Sequence, residues 1–521
     1  MKKFAKLLGY DPIAKRTSVK TEIVAGIVTF LAMAYILVVN PNQILWGGQL
    51  VPNPDFGIIE DAAELIPNYT PTSHPLWSSI FIATALGAVI GTLLMAFIAK
   101  MPLAQAPGMG LNSLLGSIIG GGVGFVSYYY NFTIGQALLM VLISGVIFMA
   151  LSFIKINGKT FRELIFDGMP VAIRGAISVG IGLFIAFIGF QNSKIIVDNP
   201  YTLVDLVPFS SYDINVANAA VCLIGLFTIA ILSKFKFNGA IVVGILVAAI
   251  IGIPLGVTDL SIITGAAEGI SWKFWENFAN FFSVGENSVF GSFASSFSDS
   301  NGVFPAGSLF TVIMLIITMC MIDMFDTMGT IVGCCSGNRI LSDENDKPYN
   351  YGKIMICDAV ATCAGAMLGT STVTTFVESG AGVSAGGRTG LTAFSTAAMF
   401  FLSMFALPLF AAIPSAAAAS ALIYVGVLMM KNNVKSIDFS DAISATSAFL
   451  TIAVMVLSYS ITKGIGIGLL SYAVMSVLAY SADAIRYAIT KKGEKPVWNI
   501  SIVSIIVSIL FCVYFFVPTV L

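Results

Sequence analysis

The stretch STVTTFVESGAGVSAGGR, residues 371–388, is apolar enough to lie within a membrane yet too broken to be one helix. It opens on β-branched and small residues, which favour an extended strand. From Ser379 onward its glycines suit the start of a half-helix. A second stretch of the same kind, LAQAPGMGLN, residues 103–112, has Pro107, Gly108 and Gly110 ending an extended run, with a half-helix expected to begin near Asn112. Irregular backbone at membrane depth is tolerated only where protein buries it or where it lines a cavity. Each half-helix is expected to turn its unpaired N-terminal amides toward the centre.

The rest of the chain reads as a membrane protein. Its 521 residues are 57% hydrophobic and 10% charged, with a mean hydropathy of +0.92. A soluble domain carries about a quarter charged residues, so most of this surface is expected to face lipid. The net charge of -1 leaves no basic footprint for nucleic acid. The basic N-terminus runs straight into an apolar segment, so no cleavable leader is expected. The seven cysteines lack metal-ligand spacing, and Cys334 and Cys335 are adjacent rather than a C-x-x-C pair. They read as small core residues, with no metal and no cofactor implied.

A helix needs about 20 apolar residues to cross the hydrocarbon. Segments 22–40, 77–99, 135–155, 170–190, 216–233, 239–257, 308–333, 353–369, 389–412, 415–430, 442–461 and 464–485 fit this demand. Adding the broken segments 103–118 and 371–386 gives about fourteen crossings. Loop charge supports the count. The N-terminal tail holds Lys2, Lys3, Lys6, Lys15, Arg16 and Lys20 and is expected in the cytoplasm. Loop 41–76 carries Asp55, Glu60, Asp61 and Glu64 and no Lys or Arg, as an outside loop should. Each later inside loop is basic, from Lys100 and the Lys155, Lys159, Arg162 group to Arg486, Lys491 and Lys492. The alternation survives only when both broken segments cross. A further apolar stretch, 498–519, stays open between an extra span and a surface helix.

Fourteen spans divide into two sevens, and an odd number per half forces opposite orientations. The expected fold is an all-α polytopic membrane protein in a 7+7 inverted repeat. Its expected parts are a cytoplasmic tail (1–21), a first repeat (22–257), an extracytoplasmic loop (258–307), a second repeat (308–485) and a C-terminal segment (486–521). The broken segments become spans 3 and 10, and such a matched pair is the best sequence pointer to a transporter's binding site.

Ionisable residues within spans are costly and count as functional candidates. Four stand out: Asp323 and Asp326 in the eighth span, Asp358 in the ninth and Glu378 in the tenth. Asp323 and Asp326 are three apart and share a helix face. Two close carboxylates in a low dielectric cannot both stay ionised cheaply, so one of them is expected to exchange a proton. His74, the one histidine, falls in an outside loop, which leaves proton traffic to carboxylates. Structural roles compete with this reading. Asp326 could bond a neighbouring backbone, and Asp358 could pair with Lys353 or Arg388. Glu378 sits beside Gly and Ser at a helix break, where a structural task for a carboxylate is hard to find. Asn112 offers a donor and an acceptor but could equally cap a helix. Gly87 and Gly91 form a small-xxx-small pair suited to close packing.

These segments resemble the nucleobase–cation symporter-2 family, in particular its AzgA-like branch of adenine, guanine and hypoxanthine permeases. The matching stretches are APGMGLN (106–112), GIGLFIAFIG (180–189), DMFDTMGT (323–330), DAVAT (358–362) and TSTVTTFVESGAGVSAGGRTGLTA (370–393), and the likeness runs to about residue 485. The resemblance implies a core domain of spans 1–4 and 8–11 that moves against a gate domain of spans 5–7 and 12–14, with dimers formed through the gate. It implies a purine nucleobase held by Asn112, Asp323, Asp326 and Glu378, carried inward across a bacterial inner membrane with a proton. Sodium is the other coupling ion to consider, since carboxylates beside unwound backbone can hold it. Phe325 and Phe376 could add stacking surface, and Ser379 lies beside Glu378 in the same motif. Ser113 and the Ser379–Gly380 pair depart from the branch pattern and could tune substrate choice.

No enzyme is expected, since an intramembrane aspartyl protease needs a Gly-x-Gly-Asp motif that is absent. An anion transporter of the sulfate-permease type would want a positive or neutral site, against the grain of Asp323, Asp326 and Glu378. A channel fits paired broken helices less well than alternating access does. A pyrimidine or xanthine/urate permease is the nearest alternative.

Overall fold

The computed structural model describes residues 7–11, 15–47, 76–119, 132–156, 159–160, 169–199, 203–210, 213–235, 237, 239–261, 263, 270–283, 288–295, 304, 308–335, 340–342, 348–458, 460–490, 498 and 500–516. His74 and most of loop 41–76 lie outside them. The first span is two helices, α1 (Val19–Met33) and α2 (Ile36–Gly47). Helix α3 (Trp77–Leu94) runs on through a π-helical turn to Ala99, and Lys100, with φ 55°, ends it. The third span is strand β1 (Gln105–Pro107) and half-helix α4 (Met109–Ile118). Helix α5 (Ile134–Phe153) leads to the hairpin of β2 (Lys155–Ile156) and β3 (Lys159–Thr160). Helix α6 (Val171–Asn192), a hairpin of β4 (Ile196–Asn199) and β5 (Leu203–Leu206), and helices α7 (Ile214–Lys234) and α8 (Ala240–Gly252) complete the first half. Short helices α9 (Phe274–Phe281) and α10 (Val289–Ser295) lie between the halves.

The second half opens with α11 (Leu309–Cys335) and α12 (Tyr351–Leu368). Its broken span is strand β6 (Val373–Thr375) and half-helix α13 (Ser379–Ser384), followed by α14 (Gly390–Ser403) and α15 (Leu407–Ala411). Helices α16 (Ser415–Asn433), α17 (Ala442–Leu457) and α18 (Ile461–Thr490) follow, and α19 (Ile502–Phe516) packs on α18. Among the described residues nine helical runs, with α1 and α2 counted as one, are long and apolar enough to cross a membrane. Helices α8, α16 and α17 are shorter apolar helices. With the two strand-plus-half-helix spans, these elements follow the 7+7 plan of an inverted repeat.

Three details differ from the sequence reading or extend it. Half-helix α4 starts at Met109, because Gly108 takes extended backbone and acts as its N-cap, so Asn112 lies inside the first turn. The first span breaks at Ala34 and Tyr35, where no glycine or proline announces it. Within the stretch 498–519, Ile502–Phe516 form helix α19.

The helices pack in two groups. In one, α1 lies on α14 and α13, α3 on α12 and α14, α5 on α12 and α11, and α2 on α4. In the other, α6 lies on α16 and α17, α7 on α8 and α16, and α17 on α18. These groups are the core and gate domains. They meet where α6 touches α4 and α11, α16 touches α2, and α8 touches α1.

The centre of the core is the antiparallel pairing of β1 with β6, in the register Gln105↔Thr375, Ala106↔Thr374 and Pro107↔Val373. Gly108 N donates to Thr372 O at 2.9 Å and Phe376 N to Ala104 O at 3.0 Å, which extends the ladder at both ends. Backbone groups at this depth have no water to bond, so each broken span satisfies the other. Gly87 and Gly91 of α3 let that helix lie directly on the strands, since a methyl group at Gly91 would meet Gln105 and Val373. Fully buried Glu22 ties α1 to the start of α14, accepting from Arg388 N (3.1 Å), Thr389 N (3.2 Å) and Thr392 Oγ1 (2.5 Å). Four orphan amides open every helix, and a carboxylate is a favourable partner for them.

Candidate functional site

A cavity of about 500 Å³ lies between the two groups of helices. Its core wall is built from Met109 and Gly110 at the start of α4, Asp326, Thr330 and Cys334 along α11, and Thr375 of β6 with the turn Phe376–Glu378 that follows it. Its gate wall is Ser178 and Ile185 of α6 with Val425, Met429 and Asn433 of α16. The volume falls within the ~300–1,000 Å³ typical of small-molecule sites, and the mixture of apolar walls with a few polar groups is also typical.

Glu378 is 7% exposed and sits in the turn between β6 and α13. Its Oε1 accepts from Tyr35 Oη at 2.6 Å, while Oε2 has no hydrogen-bond partner among the described residues. Asp326 is half-buried and accepts from Thr374 Oγ1 at 3.4 Å. The other carboxylates lie behind this wall. Asp358 Oδ1 accepts from Thr327 Oγ1 at 2.7 Å and from Gln105 Nε2 at 3.1 Å, and Gln105 also reaches Thr375 Oγ1 at 3.4 Å. Asp323 Oδ2 accepts from Thr362 Oγ1 at 3.2 Å, and Thr362 reaches Val373 O at 3.4 Å. Three carboxylates are therefore linked to the crossed strands through neutral hydroxyls and an amide.

The candidates from sequence separate into two sets. Glu378, Asp326 and Phe376 line the cavity. Asp323, Asn112 and Ser379 are buried and not in its lining. Asn112 Oδ1 accepts from Ser371 Oγ, and its Nδ2 reaches Pro107 O at 3.5 Å, which pins the chain entering β6 to the chain leaving β1. Ser379 Oγ accepts from Ala104 N at 3.0 Å and fixes the other end of the crossing. Asp323 and Asp326 bond different elements, α12 and β6 respectively, from one stretch of α11. Phe325 lies on α11 with its side chain outside the described residues.

Sequence reasoning passed over Tyr35, Gln105 and the whole gate wall. Gln105 carried a usable signal, because a buried amide in a broken span needs partners for the same reason a carboxylate does. Tyr35, Ser178, Met429 and Asn433 carried none.

Two broken spans crossing at the centre of a core, with a ligand-sized cavity against a gate, define a membrane transporter. Solved structures share the architecture. The transmembrane domain of the cyanobacterial bicarbonate transporter BicA superposes with a TM-score of 0.54 at 15% identity, covering 86% of this chain and 97% of that one. The murine anion transporter Solute Carrier 26 family member A9 gives 0.52 at 12% identity, covering 88% and 68%. Likeness at this identity concerns the fold alone.

Sequence comparison goes further. Residues 65–467 match the Permease family model of xanthine/uracil permeases. The adenine permease AdeQ of Escherichia coli is 33% identical over 462 residues, 88% of each chain. The guanine/hypoxanthine permease PbuG of Bacillus subtilis is 34% identical over 474 residues, covering 90% of this chain and 93% of that one. The chain belongs to the nucleobase–cation symporter-2 family, alongside its adenine and guanine/hypoxanthine permeases.

Proposed function

We propose that this protein imports purine nucleobases, hypoxanthine and guanine or adenine, across a bacterial inner membrane by symport with a proton. The carrying observation is that Glu378 and Asp326 face one cavity whose opposite wall belongs to the gate. The adenine and guanine/hypoxanthine permeases among the relatives support the substrate class. A purine presents a planar face and an edge of ring N–H and acceptor nitrogens. Glu378 accepts from the N–H edge, amides at the start of α4 beside Met109 and Gly110 donate to ring acceptors, and Phe376 offers apolar surface. Asn112 and Ser379 act by holding the strand crossing that presents Glu378.

One carboxylate of the Glu378, Asp326 and Asp323 group carries the coupling proton. Moving a net charge through the hydrocarbon is expensive, so a core loaded with base and proton crosses toward the other face more readily than an ionised one. Alternating access then consists of the core (α1–α5 and α11–α14) shifting against the gate (α6–α8 and α16–α18). The N-terminus is cytoplasmic, repeats 22–257 and 308–485 are inverted across the membrane, 258–307 is extracytoplasmic, and two copies associate through the gate. The protein transports without acting as an enzyme.

Uptake of labelled hypoxanthine, guanine, adenine and uracil in cells lacking their own permeases tests this reading, with a proton uncoupler and a sodium-free buffer as separate arms. Purine accumulation abolished by the uncoupler supports it. Loss in sodium-free buffer instead moves the coupling to Na⁺, and accumulation of uracil alone moves the substrate to pyrimidines. If no base accumulates while the protein is present in the membrane, the purine reading fails.

A further inference from the structure

Glu378 has two chemically identical oxygens, and the structure treats them differently. Oε1 receives the Tyr35 hydroxyl at 2.6 Å, and Oε2 is buried without a partner among the described residues. The phenol has one proton to give. Met109 Sδ lies at 3.6 Å from the same hydroxyl, but a thioether is a far weaker acceptor than a carboxylate. Tyr35 is 2% exposed, so its hydroxyl is shielded from bulk water. It stands at the break between α1 and α2, where the chain leaves one helix and enters the next.

The break is held in a fixed relation to Glu378. Helix α1 is tied to the start of α14 by Glu22, and Gly382 of α13 lies directly against Ala25 and Thr29 of α1. Tyr35 and Glu378 thus belong to one packed body on the core side of the cavity.

We propose that Tyr35 is a positioning residue for the transport site: it engages one oxygen of Glu378 and leaves the other as the acceptor for what enters the cavity. This deepens the transport reading above and rests on it for the identity of the ligand. A carboxylate free to rotate offers either oxygen in several directions. One clamped at Oε1 offers a single acceptor in a single direction, and so favours ligands whose N–H donor lies in that plane.

Tyr35→Phe removes the hydroxyl and little else. The first readout needs no ligand: labelling of Glu378 in the purified protein by dicyclohexylcarbodiimide, which attacks protonated, unengaged carboxyls, followed by peptide mass spectrometry. A charge-assisted hydrogen bond contributes about 1.5 kcal/mol, or roughly tenfold. Glu378 is therefore expected to label about tenfold faster in Tyr35→Phe than in the wild-type protein. Equal labelling rates at Glu378 in the two proteins overturn the proposal. The second readout is equilibrium binding of labelled guanine, expected to weaken by a similar factor in Tyr35→Phe and by no further factor when Tyr35→Phe is added to Glu378→Gln. Independent, additive losses mean that Tyr35 acts on the fold and not through Glu378. A wild-type protein that binds no purine withdraws the transport reading, while the labelling comparison still decides the role of Tyr35. Should Tyr35→Phe fail to fold, 3-fluorotyrosine at position 35, a stronger donor of the same shape, must slow labelling of Glu378; an unchanged rate overturns the proposal.

Discussion

Glu378 and Asp358 are both buried carboxylates, yet their surroundings assign them opposite responses to substitution. Glu378 has an unpartnered oxygen and a cavity beside it. Glu378→Gln is expected to leave the protein in the membrane while lowering purine uptake at least about thirtyfold, the equivalent of ~2 kcal/mol for a lost charged hydrogen bond. Uptake normalised to membrane content checks this, and wild-type uptake would remove Glu378 from the site. Asp358 receives Thr327 and Gln105 and lies outside the cavity lining. Asp358→Asn keeps an acceptor oxygen for those donors but removes the charge that strengthens both bonds, so a loss of about 1–3 kcal/mol in stability is expected. A thermal melt of the solubilised protein that matches wild type would contradict it. At this scale costly charge was a partial guide: of the four intramembrane carboxylates it singled out, Glu378 and Asp326 line the cavity, while Asp323 and Asp358 are not in its lining. The sequence was silent on Tyr35, because a tyrosine in an apolar run is ordinary. It also could not tell that Asn112 bonds Ser371, since that pairing exists only once two distant segments cross.

Elements were legible where they were punctuated. Pro107, Gly108 and the glycines after Glu378 announced both broken spans, and both adopt a strand followed by a half-helix. The break of the first span has no such marker. Ala34 and Tyr35 sit in an unbroken apolar run, and Pro41 lies further on, inside α2. The pairing of β1 with β6 imposes its own test. Gly91 has Gln105 and Val373 against it, whereas Gly352 has open space. Gly91→Val is expected to overpack the strand crossing by about 1–3 kcal/mol, lowering folded yield in size-exclusion chromatography. Gly352→Ala in α12 should leave that yield unchanged or slightly higher, as alanine is the better helix former. Equal behaviour of the two variants would mean that α3 does not rest on the strands as described.

The whole molecule is two bodies with a space between them, and that division was readable only through family resemblance, because no local signal says which helix packs on which. Met429 on α16 faces the core across the cavity. Met429→Trp is expected to fill that space and abolish uptake while the protein is still present in the membrane, which uptake normalised to membrane content checks. Retained transport would mean that the cavity is off the substrate route. The N-terminal tail belongs to the core body: Leu8 is fully buried and its carbonyl accepts from Gly390 N at 3.1 Å, and Lys15 Nζ donates to Ile340 O at 3.1 Å. Finally, the register that joins Pro107 to Val373 has a consequence during synthesis. At ~5–20 residues per second, the ribosome takes on the order of tens of seconds to deliver the partner of β1 after β1 itself has emerged. For that interval a nascent chain holds an open strand edge at membrane depth, so quality-control machinery in the membrane has a defined window in which to distinguish an unfinished copy from a finished one.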